Sequence, residues 1–159
     1  MKKIFLTIAT AALLSVNVFA ADGGKKGVTT ANVSYAVQQE FNNDFATAQN
    51  VVWTVTKNCQ KVDFFIDGVK KTAFYNFAGD FLGTTEVVSY AAIPAKSQKL
   101  IADNYKGYTA TEVIVYQTNE AINDEIEPTS YFVDLKNGEH ELLVRVTGEG
   151  RLDFFKQVK

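Results

Sequence analysis

Few side chains in this sequence could form a reaction centre, and their spacing keeps them apart. His140 is the sole imidazole, just past the Asn137-Gly138 turn signal, and a general base needs a nucleophile or carboxylate brought to it. Its neighbours Glu139 and Glu141 do not serve, because adjacent strand residues point to opposite faces. Cys59 is the only cysteine and reads as an exposed residue at a hairpin tip. Lys57 and Lys61 flank it and would favour the thiolate, but no resolving cysteine or partner histidine accompanies it. Asp124, Glu125 and Glu127 lack the alternate spacing and the glycine of a calcium loop. Gly148-Glu149-Gly150 lacks the remaining glycine and the strand–helix setting of a dinucleotide site. These observations point away from an enzyme and call for no cofactor or metal.

Composition narrows the function classes further. The chain has 159 residues, 47% of them hydrophobic, with 12 Phe, 7 Tyr and only two Pro, which is enough apolar material for a packed core and argues against disorder. Sixteen basic residues against 18 acidic ones leave a net charge of −2, so no basic footprint for nucleic acid is present. One Cys cannot make an internal disulfide, and one Cys with one His cannot make a zinc cluster.

The first twenty residues carry the most specific local pattern. Lys2 and Lys3 precede an apolar run from Ile4 to Val18, and Val18-Phe19-Ala20 offers small residues to a signal peptidase. Residues 1–20 therefore read as a secretory signal cleaved after Ala20. The run is too short, and too interrupted by Thr7, Thr10, Ser15 and Asn17, to remain as a membrane anchor. Residues 21–30 are polar and Gly-rich and read as a flexible tail. The expected location is the periplasm or the exterior.

Beyond the tail the hydrophobic period changes twice. Val33, Val37, Phe41 and Phe45 recur every four residues, the spacing of a helix face. Strands follow at 51–55, 62–66, 72–77 and 81–90, with a tight turn at Asp67-Gly68. A second helix starts near Pro94, with Leu100, Ile101 and Tyr105 on its apolar side. Strands at 113–116, 131–135, 142–146 and 152–158 come after it. Matching Phe45–Trp53 to Tyr105–Val113, and Asp67-Gly68 to Asn137-Gly138, shifts the register from 60 to 70 residues, which places an insertion at 119–128. The expected fold is α+β, a tandem repeat of helix plus four-stranded antiparallel sheet, the sheets either separate or continuous across the pair, with the helices on one face. The units would span 31–91 and 92–159.

The stretch FATAQNVVW at 45–53 and the hairpin FYNFAGDFLGTTEVV at 74–88, in this layout, resemble the PepSY-like, β-lactamase-inhibitor-like family of secreted bacterial proteins. The resemblance covers 31–159. It implies a periplasmic or secreted α+β protein without catalysis, built on a fold shared with a proteinaceous inhibitor of β-lactamases. That inhibitor is stapled by disulfides, whereas this chain has Cys59 alone.

Two surfaces are candidates to meet a partner, the alternatives being that a loop, the tail or a second molecule covers the first and that the isoleucines of the second fold back to shield the sheet edge. With Trp53, Val62, Phe64 and Ile66 facing the helix, alternation sends Phe65 to the other side. In the second unit Val113, Val115, Tyr131, Val133, Val144 and Phe154 inward leave Tyr116, Phe132 and Phe155 outward. Tyr75 is expected to join them in an aromatic patch. The second surface is the insertion, where Glu120, Asp124, Glu125 and Glu127 surround the apolar pair Ile122 and Ile126. The expected function is a non-catalytic module that binds an unidentified periplasmic protein, an inhibitor of a cell-envelope peptidase or similar enzyme being one form. The alternative is a carrier of a small apolar ligand, or an envelope sensor, using the open aromatic sheet face.

Overall fold

The computed structural model describes residues 33–119 and 127–159. The chain enters helix α1, Tyr35–Asp44, where the Ser34 hydroxyl accepts from the Val37 N–H at 3.3 Å, satisfying one of the N–H groups a helix start leaves without a partner. Strands β1 (Gln49–Val55), β2 (Gln60–Ile66), β3 (Val69–Tyr75) and β4 (Phe81–Val87) follow. After a single 3-10 turn at Tyr90–Ala92 comes α2, Ala95–Asn104, opening directly behind Pro94. The chain ends with β5 (Thr109–Thr118), β6 (Thr129–Asn137), β7 (His140–Thr147) and β8 (Leu152–Gln157).

The expected tandem repeat of helix plus four-stranded sheet is overturned. All eight strands form one antiparallel sheet in the order β1 to β8. The joint is β4 against β5, with Gly83 opposite Thr118, Thr85 opposite Tyr116 and Val87 opposite Ile114. Two separate sheets would each leave an unpaired edge at this point, and direct pairing removes both. The turns that set the register are short. Asp67 and Gly68 both have positive φ, 51° and 78°, the backbone of a two-residue turn whose twist suits a hairpin. The β6–β7 turn falls one residue later than the Asn137-Gly138 pattern suggests. Asn137 pairs with His140, so Gly138 and Glu139 form the loop.

Register then assigns the faces. On one face Trp53, Val62 and Ala73 align across β1–β3, and Val113, Val133 and Val144 across β5–β7. Val37 and Phe41 of α1 pack on the first group together with Phe64 and Tyr75. Ile101 of α2 packs on the second with Leu135 and Val146. Both helices therefore cover the same face. The Phe41 ring meets Trp53 and Phe64 edge-on, at centroid distances of 5.4 and 5.1 Å, a geometry that adds to area burial. The Ser97 hydroxyl, buried in α2, donates to the Gly150 carbonyl at 2.9 Å and ties the helix to the β7–β8 turn. Between the two cores the same face carries the ion pair of Lys71 with Glu86. No helix among the described residues is long and apolar enough to cross a membrane.

Candidate functional site

The face without helices carries the aromatic residues expected to point outward, with one exception. Val87, Ile114, Phe132, Arg145 and Asp153 fall in one row across β4–β8. Phe155 sits where the β7–β8 register shifts between Leu143 and Val144, and its ring lies 4.9 Å from that of Phe132. Tyr116 occupies the neighbouring row with Thr85 and Ser130, and Phe65 stands on β2 opposite Lys70. Val87 is 54% exposed, while Phe65, Ile114, Tyr116 and Phe155 are half-buried and Phe132 is buried. Phe132 therefore underlies the patch and does not present its ring to solvent.

Tyr75 is the exception. Its side chain is buried in the helix-side core, with ring centroids 5.9 Å from Trp53 and 5.5 Å from Phe81. The two-residue turn pairs Ile66 with Val69, which places Tyr75 opposite Gln60 and on the side of Val62. Phe74 takes the outward position instead. Phe154 is corrected in the opposite sense. It is opposite Val144 on the helix side but lies on the edge strand and is 61% exposed.

Cys59 is also corrected. It lies in the β1–β2 turn, but its side chain is buried with Phe74, Leu82 and Tyr116 in a small third cluster. The Thr56 hydroxyl lies 3.4 Å from its sulfur. The Tyr116 hydroxyl donates to the Leu82 carbonyl at 3.0 Å, and burial pushes its pKa upward. A thiol in such a setting is inert, because its reactivity needs exposure and a field that favours the thiolate.

Several charged groups on this face are engaged with one another. Asp63 accepts from the Thr72 hydroxyl at 2.6 Å and pairs with Lys61 at 3.9 Å. Asp153 binds Arg145 at 3.0 Å and Arg151 at 3.2 Å, and the hydrogen bond from Arg145 is the chief reason its carboxyl lies below the usual range. Lys136 bridges Asp134 and Glu141 at 3.3 and 3.5 Å. Such pairs hold these side chains down on the sheet beside the apolar row. His140 is exposed at the start of β7. Among the described residues no group of three or more His, Cys, Asp and Glu could hold a metal.

The insertion lies partly outside the described residues, and so do Glu120, Ile122, Asp124, Glu125 and Ile126. Its neck is defined. The Thr118 N–H donates to the Pro128 carbonyl at 2.9 Å, and Glu127 lies 3.8 Å from Arg151. Val87 and Ile114 belong to the apolar row although no sequence motif marks them. In the run Val113-Ile114-Val115-Tyr116 every residue is apolar, so alternation alone cannot assign a face.

No family model matches the chain, and no curated protein sequence matches it. Solved structures do. A DUF2874 family protein from Bacteroides uniformis superposes with a TM-score of 0.69 at 15% identity, covering 79% of this chain and 90% of that one. A BLIP-like protein from Bacteroides fragilis gives a TM-score of 0.66 at 18% identity, over 82% and 89%. The fold is BLIP-like. A Bacteroides eggerthii protein, provisionally described as periplasmic, gives a TM-score of 0.70 at 13% identity over 80% and 91%. At these identities the BLIP-like likeness extends to the fold alone.

Proposed function

We propose that this BLIP-like protein is a non-catalytic module of the periplasm or the exterior that binds another protein through the helix-free face of its sheet. The observation that carries the reading is the apolar group of Val87 and Ile114, which lie in one row with buried Phe132, together with Phe155 against the Phe132 ring and Tyr116 in the neighbouring row. Apolar and aromatic anchors ringed by polar groups are the arrangement from which protein interfaces draw most of their energy. Paired carboxylates and an inert thiol give the face recognition without bond-making chemistry. Inhibition of an envelope peptidase or similar enzyme, by covering its active site, is the form of binding in view. The PepSY-like relationship, the signal at 1–20 and the secreted location belong to the same reading and rest on the sequence pattern.

The acidic insertion is proposed as a second contact. Acids speed encounter with a basic rim, and Ile122 with Ile126 would supply apolar area. The Thr118–Pro128 bond lies outside 120–127, so that stretch can be replaced by a short Gly/Ser turn with this bond kept.

The test is capture of partners by the tagged protein recovered from the periplasm, with Val87→Glu and Ile114→Glu as comparisons. Binding should fall at least about tenfold in each variant, the effect of removing roughly 1.4 kcal/mol of interface energy. Unchanged capture by both folded variants would remove the sheet face from the proposal.

A further inference from the structure

The two edges of the sheet are built differently. β8 carries Arg151, Asp153 and Lys156 in and beside it and has an irregular register at Leu143/Val144. Charge and irregularity are the usual means of blunting an edge. β1 is the other edge, and from Phe45 to Thr56 the sequence has no charge, no proline and no glycine. Its only irregularity lies at its start, between Gln49 and Val52. Val52 and Val55 stand 43% and 41% exposed along it.

The hydrogen-bond directions of β1 follow from its pairing. The Thr56 N–H donates to the Cys59 carbonyl at 2.9 Å, and Thr54 and Val52 lie opposite Lys61 and Asp63. Antiparallel pairing alternates bonded and non-bonded positions. Thr56, Thr54 and Val52 therefore bond to β2, and the N–H and C=O groups of Val51, Trp53 and Val55 point away from the sheet.

We propose that two copies of this chain join β1 to β1, antiparallel, about a two-fold axis at Trp53. Outward-bonding residues meet one another when the axis lies at Val52, Trp53 or Thr54, and the Trp53 centre alone brings all three of Val51, Trp53 and Val55 into bonding pairs. Val51 then faces Val55 of the second copy on the helix side, and Val52 faces Thr54 on the other. Each position meets an uncharged or β-branched residue, with no like charges opposed, so the strand is complementary to itself. The same self-match favours a second copy over an unrelated extended peptide.

Sedimentation equilibrium of the protein recovered from the periplasm should give twice the mass of one chain, with dissociation on dilution. Val52→Lys places a charge at the joint. Val55→Pro removes an N–H that points away from β2, leaving the bonds within one copy intact. Both variants should sediment as monomers with unchanged circular dichroism. The register has its own test. Val52 and Thr54 would be a non-hydrogen-bonded pair, with Cα atoms at a separation of ~4.5 Å, which a disulfide can span. An oxidised mixture of Val52→Cys and Thr54→Cys proteins should yield covalent dimers, and neither variant alone should. A monomer at every concentration, a dimer that survives both Val52→Lys and Val55→Pro, or equal cross-linking by the single variants would overturn the proposal.

Discussion

A side chain at position 83 would overlap the Gln117 carbonyl oxygen, so β4 and β5 approach each other at Gly83 as only glycine allows. The φ of Gly83, +146°, lies in the region that favours glycine for the same reason. This contact joins the half of the sheet beneath α1 to the half beneath α2. Gly83→Ala should therefore cost about 2–4 kcal/mol, combining strain and overlap. Chemical denaturation should show it as a lower midpoint, and an unchanged midpoint would mean that the joint yields easily.

Trp53 should behave as a core residue, packed against Phe41 and Tyr75. Trp53→Ala should cost roughly 3–5 kcal/mol, and the native fluorescence should be blue-shifted relative to the unfolded chain. Thermal melting and emission spectra check both.

Cys59 should resist a thiol reagent in the folded protein and react fully in denaturant, because its sulfur is buried beside Thr56. Fast native reaction would contradict the third cluster. The covalent dimers expected of an exposed single thiol should likewise be absent from the wild-type protein.

Alkaline pH should destabilise the fold through its tyrosines. Burial, with Asp44 and Glu40 nearby, pushes the Tyr75 hydroxyl far above its ordinary pKa, and burial raises Tyr116. Above pH ~10 the unfolded chain loses these protons while the native state keeps them, so stability falls as pH rises. Below that value the contribution is fully present. Absorbance at the tyrosinate band should show a group of tyrosines ionising only together with unfolding.

Much of the local structure is legible in the sequence, and most of what is hidden is long-range. The four-residue spacing of Val37 and Phe41 shows α1, and Asp67-Gly68 shows the β2–β3 turn. Counting forward from that turn along β3 assigns Tyr75 to the core, whereas the aromatic pair Phe74-Tyr75 taken alone leaves the face undecided. The β4–β5 pairing is hidden because α2 intervenes between the two strands, and the similar spacing of the two halves does not say whether their sheets join. The cluster around Cys59 is hidden because Phe74, Leu82 and Tyr116 come from three strands. In the helix-free face, Phe65, Tyr116 and Phe155 are visible from alternation. Val87 and Ile114 emerge only once the cross-strand register is known.

The proposed binding face is tested most directly by a photo-cross-linking amino acid placed at Val87, compared with one at Tyr35, which is exposed on the helix side. With both proteins secreted at equal levels and irradiated in intact cells, Val87 should yield a discrete protein adduct and Tyr35 should not. Adducts from Tyr35 alone, or none from either position, would contradict the assignment of the helix-free face as the binding surface.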